Sequence, residues 1–345
     1  MRRQRAMAVL VSAVVAVAML AGGAGHAVAS KFLLPVPEGD LTWSPDSRLL
    51  AMPETKAISL LRTDGGVERR LRGPGIDYFS FPCLFCPLGW TEDSSRILYI
   101  SEEEEMDSEG SVVGSVAADG SAEEVRSLSV PIGSATWAPT GWPLIYIPNS
   151  RAWFSGTKGK RVGPNPDLWR LDSLYAKPRK LIASRAEEED PLFSPDGAEI
   201  TFMRSNERST SLWKASADGT GSKRLVNNLL GPSAAAWSPD GRRIALSTYS
   251  RAKGDRRCHL YMTSPNGGQL RQIVDEEILT ERPAWTPDGH WITFSTSRGE
   301  IRKVRPDGTG LQTIASFPGK EVRGLSWSPD GRHLTYSAQI PPRSD

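Results

Sequence analysis

Seven times along this chain an aromatic residue is followed by Ser/Thr/Ala-Pro-Asp-Gly, or a degenerate form of it, and then by an alternating apolar strand. The copies begin at Trp43-Ser44-Pro45-Asp46, Trp90-Thr91-Glu92-Asp93, Trp137-Ala138-Pro139-Thr140, Phe193-Ser194-Pro195-Asp196, Trp237-Ser238-Pro239-Asp240, Trp285-Thr286-Pro287-Asp288 and Trp327-Ser328-Pro329-Asp330. Successive aromatic positions are 47, 47, 56, 44, 48 and 42 residues apart. This is the period expected when each repeat is one four-stranded blade of a β-propeller.

The repeat has a physical logic. Proline presets φ, the Asp side chain can accept from the backbone two residues on, and Gly tolerates φ > 0, so the motif closes a tight hairpin. The segments that follow, such as Ile97-Leu98-Tyr99-Ile100, Arg243-Ile244-Ala245-Leu246 and His333-Leu334-Thr335-Tyr336, are rich in β-branched and aromatic residues and lack helical periodicity. A second turn signal follows at Asp64-Gly65, Asp119-Gly120, Asp218-Gly219, Asn266-Gly267 and Asp307-Gly308, each between two short apolar runs. Repeat three keeps the strands but lacks that Asx-Gly pair. Each repeat therefore reads as four strands, a to d. An aspartate recurring at a turn in repeat after repeat is read as turn chemistry and not as a series of catalytic acids, and the aromatic residues are expected to wedge between neighbouring blades.

The Trp-Ser-Pro-Asp-Gly hairpin, its apolar strand and the following Asp-Gly turn resemble the TolB-like propeller repeat, which also occurs in the propellers of prolyl oligopeptidases and dipeptidyl peptidases. The resemblance covers about residues 31 to 340, with the better matches in repeats four to seven. It implies an all-β fold, a seven-bladed β-propeller of four-stranded antiparallel blades. TolB carries an α/β domain ahead of its propeller and the peptidases carry an α/β-hydrolase domain, and this chain has room for neither. The Tol-Pal partnership and the peptidase chemistry therefore do not carry over automatically. Repeat seven supplies two strands before Asp345, while Lys31 to Val36 precedes repeat one without a blade of its own. The expectation is that this N-terminal strand pairs with the last blade and closes the ring. A six-bladed ring with a degenerate leftover is the alternative.

Residues 1–29 read as a secretory signal peptide, leaving residues 30–345 as a single propeller domain. Arg2, Arg3 and Arg5 form a basic start, Ala6 to Ala21 is uncharged and mainly apolar, and Ala27-Val28-Ala29 fits small-x-small cleavage. An uncleaved membrane anchor is the alternative, and the only route to a membrane association. The expected location is periplasmic or secreted. Removing residues 1–29 takes three of the 42 basic residues and none of the 40 acidic ones, so the formal charge of the remainder is −1. A surface so near neutral makes no electrostatic case for nucleic acid. Cys83 and Cys86, set among prolines in the connection between repeats one and two, can form a local disulfide in an exported chain or stay as free thiols. Cys258 reads as a small core residue.

In a propeller the a–b and c–d hairpins share one face, and the b–c loops and d-to-a crossings share the other. Here the first face carries only tight turns. The second has the long connections, among them Gly73 to Pro87, Pro148 to Pro166 and the crossings near Glu187 and Asp275, and loops on a rigid scaffold are where function concentrates. The candidate binding residues are Asp190 and Glu189, ahead of an innermost strand, Asp275 and Glu276 in a later crossing, and Trp153 and Phe154 in the longest loop. A bound cation or basic peptide segment is one reading of the acidic runs, and solvated charge is the plainer one.

Signatures of catalysis are sparse. The sequence has no Gly-x-Ser-x-Gly elbow, no His-Glu-x-x-His and no Gly-rich phosphate loop, and His259, His290 and His333 do not converge on one end of the fold. No catalytic residue, metal site or cofactor is assigned. The expectation is a monomeric, non-catalytic module that binds a protein or peptide, with a cell-envelope component as the candidate partner. The competing reading is a propeller enzyme, a polysaccharide lyase or glycosidase, with carboxylates at the channel mouth.

Overall fold

The computed structural model describes residues 41–339 apart from 55–56, 64–65, 73–87, 103–109, 149–166, 207–208, 232, 251–254, 256 and 280, together with the backbone of 14–19 and 28–33. Every element among the described residues is a strand. Six blades each take four consecutive antiparallel strands. Blade 1 is β3 to β6 (Thr42–Trp43, Leu49–Glu54, Ala57–Arg62, Val67–Leu71) and blade 2 is β7 to β10 (Gly89–Trp90, Arg96–Glu102, Ser111–Ala117, Glu123–Leu128). Blade 3 is β11 to β14 (Ile132–Ala138, Gly141–Pro148, Leu168–Leu171, Arg179–Ile182) and blade 4 is β15 to β18 (Glu187–Phe193, Glu199–Ser205, Thr210–Ser216, Lys223–Leu229). Blade 5 is β19 to β22 (Ala234–Trp237, Ile244–Tyr249, Cys258–Thr263, Arg271–Val274) and blade 6 is β23 to β26 (Ala284–Trp285, Ile292–Ser295, Glu300–Val304, Gln312–Ser316).

The count of seven blades is corrected: there are six. Repeat seven supplies only the hairpin β27–β28 (Glu321–Trp327, His333–Gln339), which is flanked by β1 (Val14–Met19) and β2 (Val28–Leu33) in the order β2-β1-β28-β27. The segment beside β28 is not Lys31 to Val36. It is Val14–Met19, paired from Val14 with Ala338 to Met19 with His333. The physical reason lies in the pairing: β28 takes β1 as its neighbour, so repeat seven contributes two strands and not four consecutive ones. It can build a two-stranded hairpin and no blade of its own, and such a hairpin is marginal alone. Six blades are thus built from consecutive strands, and the hairpin of repeat seven joins β1 and β2 in a further four-stranded sheet between blade 6 and blade 1.

Innermost strands of neighbouring repeats lie side by side, and β27 meets β3. The hydrophobic core is divided among the seams between sheets. One cluster joins Leu60 and Leu71 of blade 1 to Ile97 and Tyr99 of blade 2, and another joins Leu260 and Met262 of blade 5 to Ile292 and Phe294 of blade 6.

The repeated turn is built as its residue types predict. In blade 5, Ser238 Oγ donates to Asp240 Oδ1 (2.5 Å), Arg242 N donates to the same oxygen (3.1 Å), and Arg243 N donates back to Ser238 Oγ (2.9 Å). The same three bonds recur at Ser44/Asp46, Ser194/Asp196, Thr286/Asp288 and Ser328/Asp330. The recurring aspartate is turn chemistry. The aromatic wedge is equally concrete. Trp90 Nε1 donates to Thr42 O (3.3 Å), Trp285 Nε1 to Ala236 O (3.1 Å) and Trp43 Nε1 to Ser326 O (3.4 Å), each reaching the sheet before it in the ring.

A second seam bond was not anticipated from the motif. A basic side chain of one blade reaches the turn of the next: Arg69 to Asp119 O, Arg126 to Leu174 O, Arg170 to Ala217 O, Lys223 to Asn266 O and Arg271 to Pro306 O. These charge-assisted bonds satisfy carbonyls that a tight turn leaves open.

Candidate functional site

Antiparallel order puts the b–c and d-to-a ends of the strands on one face, so the C-terminal ends of β8, β12 and β20 and the N-terminal ends of β9, β13 and β21 share that side. The charged residues ahead of the innermost strands open onto the same side. Asp190 sits where the register of β15 slips, between Glu189 and Leu192, and its φ is +48°. Aspartate tolerates that left-handed conformation better than most residues. Its Oδ1 accepts from Arg282 Nη2 at 2.5 Å, a contact from blade 4 to the lead-in of blade 6 that passes over blade 5.

Arg282 follows Glu281, whose two oxygens accept from Arg323 Nη1 (3.0 Å) and Gly324 N (3.3 Å). Arg323 in β27 also bonds Glu321 (2.5 Å), and Ser247 Oγ of blade 5 donates to the Glu281 carbonyl (2.7 Å). Acid and base alternate around the mouth from blade 4 to repeat seven. The groups stay partly exposed, with Asp190 at 31% and Arg323 at 52%, so each pair adds little to stability and leaves charge at the surface.

Strand alternation separates Asp190's two predecessors. Glu189 is exposed and its Oε2 accepts weakly from Ser205 Oγ (3.4 Å). Glu188 is fully buried; its Oε1 accepts from Ser184 Oγ (2.7 Å) and Arg204 Nε (2.9 Å), and its Oε2 has no partner among the described residues. The Arg204 guanidinium lies 4.1 Å from the centroid of Trp213. Burial pushes the Glu188 carboxyl above its ordinary range, and the bonds from Ser184 and Arg204 only partly oppose this.

Asp275 and Glu276 lie in the crossing from blade 5 to blade 6 and have different partners from Asp190. Asp275 accepts from Gln272 Nε2 (3.1 Å). Glu276 is bonded by Arg302 Nη1, and its carbonyl meets His259 Nδ1 (3.0 Å), while His259 Nε2 meets Asp255 Oδ2 (2.9 Å). Desolvation raises the Glu276 pKa. The predicted acids thus fall into two groups, one on β15 and one beside the outer strands of blades 5 and 6. Trp153, Phe154, Cys83 and Cys86 lie outside the described residues. Cys258 is a free, buried thiol that desolvation pushes up to about 12. Among the described residues no three His, Cys, Asp or Glu side chains gather to hold a metal.

The residues missed were Glu281, Arg282 and Arg323, although a signal for Arg282 exists. Asp190-Pro191 and Arg282-Pro283 each stand three residues before the repeat's aromatic position. The reasoning that put Asp190 near the channel applies equally to Arg282.

Four-stranded sheets arranged around an axis, with Asx turns on one face and a charged mouth on the other, define a β-propeller. The family model of the TolB beta propeller domain matches residues 149–341. The chain belongs to that family. Among solved structures it resembles a TolB candidate from Agrobacterium tumefaciens (17% identity, 96% of this chain and 99% of that one, TM-score 0.57). It also resembles TolB from Acinetobacter baumannii (17%, 92% and 66%, TM-score 0.51) and oligogalacturonate lyase from Vibrio parahaemolyticus (13%, 89% and 90%, TM-score 0.61). At these identities the likeness is one of fold. A search of curated proteins by sequence returns no match.

Proposed function

We propose that this chain is an exported, non-catalytic binding module that takes a protein or peptide partner of the cell envelope on its long-connection face. The observation that carries the reading is the Asp190–Arg282 pair, linked through the neighbouring Glu281 to Arg323 and Glu321. An alternating rim of acids and arginines on rigid strands supports recognition by complementary charge, which sets specificity and association rate. Acid–base cleavage of a glycoside needs one carboxyl held protonated opposite a second one left free. At this rim Asp190, Glu281 and Glu321 are each bonded to a guanidinium, while Glu189 beside them meets only Ser205. The TolB neighbours agree with an envelope role; export is read from the signal-like residues 1–29 alone, of which the full-length fold uses Val14–Met19 as β1.

The test is affinity capture from a periplasmic or culture extract with the tagged chain, beside an Asp190→Arg variant and a Trp153→Ala/Phe154→Ala variant. Loss of one captured protein in both variants is the expected result. Retention of every protein by both, or release of unsaturated or reducing sugar from an acidic polysaccharide, overturns the reading.

A further inference from the structure

On the opposite, tight-turn face a cavity of about 350 Å³ opens at the seam of blades 5 and 6, lined by Arg243, His290, Trp291, Arg305 and Asp307 over Gly289 and Pro306. That volume is within the range of small-ligand sites. The charges of its wall are sorted by the turns that build it. Asp240 is occupied by Ser238 and Arg242 N, Asp288 by Thr286 and His290 N, and Asp307 by Thr309 N and Oγ1 (2.9 and 2.7 Å). The acids are therefore turned into their own loops.

The cations are matched only at longer range, Arg243 by Asp240 and Arg305 by Asp307. Arg305 Cζ stands 4.8 Å and Lys303 Nζ 4.5 Å from the Trp291 centroid, and neither forms an ion pair among the described residues. Arg243 lies 5.5 Å from the Trp285 ring and only 3.7 Å from an Asp240 oxygen. Three cations thus stand near the cavity against Asp240 and Asp307, of which only Asp307 lines it, and this leaves room for a further anion between the guanidinium groups.

We propose that this cavity binds a carboxylate-bearing peptide. The carboxylate seats between the guanidinium groups of Arg243 and Arg305, and the adjoining apolar side chain lies on the exposed part of the Trp291 ring. Guanidinium forks match a planar carboxylate through paired hydrogen bonds, and the half-buried indole supplies an apolar platform next to them. The carboxylate can be a chain terminus or an Asp or Glu side chain. This surface lies on the other side of the ring from the Asp190 rim, so the two proposals stand or fall separately.

Fluorescence polarisation with three labelled hexapeptides tests it: one ending in Leu-Ala-Phe with a free carboxylate, its C-terminal amide, and an amide with Glu in place of Ala. Saturable binding of the free acid alone assigns a chain terminus, and binding of the Glu amide assigns a side-chain carboxylate. The plain amide is expected to stay unbound. Arg305→Gln should weaken binding roughly tenfold or more, as expected for a lost charge-assisted bond, and Arg243→Gln/Arg305→Gln should abolish it. Because both arginines are at the surface, the variants should melt as the parent does, and Trp291→Phe should weaken binding without unfolding. Equal binding of acid and plain amide, no saturation up to about 1 mM peptide, or full binding by the double variant overturns the proposal.

Discussion

Trp43 and Ser326 are 283 positions apart, yet the Trp43 indole N–H donates to the Ser326 carbonyl at 3.4 Å. Asp330 N reinforces the seam by donating to Ser47 Oγ (3.0 Å), and the Trp43 ring stacks on His333 with centroids 5.7 Å apart. Blade 1 is thus fastened directly to the hairpin of repeat seven. Trp43→Ala should lower stability by about 3–5 kcal/mol, as for other buried aromatic truncations, and Trp43→Phe by about 1 kcal/mol more than the lost ring volume alone. Urea unfolding followed by circular dichroism reads both. A Trp43→Ala midpoint equal to the parent's would show that this seam does not hold the ring.

The turn aspartates have the opposite character, each local and modest. Hydrogen bonds from Ser238 and from Arg242 N hold the Asp240 carboxyl below its ordinary range. A depressed carboxylate contributes stability above the unfolded value of 3.8 and loses it as pH falls through the lower folded value. Asp240→Ala should therefore cost about 0.5–1.5 kcal/mol at neutral pH, discounted for its exposure, and the gap should close in acid. Melting curves at pH 7 and pH 3 check the sign, and a gap that widens in acid contradicts it.

These two cases show where the sequence was informative. Turn chemistry repeats within a four-residue window, so Ser238 and Asp240 can be read without knowing any distant partner. The Trp wedge is legible because its position recurs. The basic bonds at the seams are not, because Arg69, Arg126 and Lys223 occupy no fixed place in the motif, and their acceptors are backbone carbonyls that leave no residue signature. The blade count failed for a similar reason. Repeat seven has the same opening phrase as the others, and that phrase does not reveal that β1 and β2 are the neighbours of its hairpin. At the rim, Asp190 was expected just ahead of an inner strand and lies within β15, whereas its bond to Arg282 depends on how two blades face each other across a third.

The Asp190–Arg282 pair should be weak in folding and strong in recognition. Both groups are about one-third exposed, at 31% and 38%, and pairs of that kind contribute on the order of 0.2–1 kcal/mol. A double-mutant cycle with Asp190→Asn and Arg282→Gln, read by thermal melts, should return a coupling in that range and falling with salt. A coupling above about 3 kcal/mol would make the pair a structural clasp.

Glu188 carries the opposite pH sign to the turn aspartates. Burial raises its carboxyl above the unfolded value of 4.5, so its ionisation opposes folding increasingly as pH rises from that value through the folded one. Glu188→Gln keeps the acceptor for Ser184 and Arg204 and removes the buried charge. The variant should melt at or above the parent at pH 7.5, and the advantage should vanish as pH falls to about 4.5. If the parent instead gains on the variant with rising pH, the Arg204 ion pair outweighs the desolvation of Glu188.

Gly114 and Tyr99 face each other across β8 and β9, and the ring of Tyr99 covers the glycine. A Cβ on Gly114 would lie 2.1 Å from Tyr99 Cζ and 2.3 Å from its hydroxyl oxygen, inside any tolerable contact. Tyr99 is fully buried and its hydroxyl donates to Glu123, so the ring cannot swing aside without losing that bond. This is an aromatic side chain filling the gap that a strand glycine leaves. Gly114→Ala should then destabilise by about 1–3 kcal/mol or more through overpacking. Tyr99→Leu alone should also destabilise, but the double variant should be better than the sum of the two by about 1 kcal/mol or more, because the smaller side chain makes room for the new methyl group. Urea midpoints of the four proteins measure the coupling. Additive losses would mean that Gly114 is required by its backbone conformation and not by the ring above it.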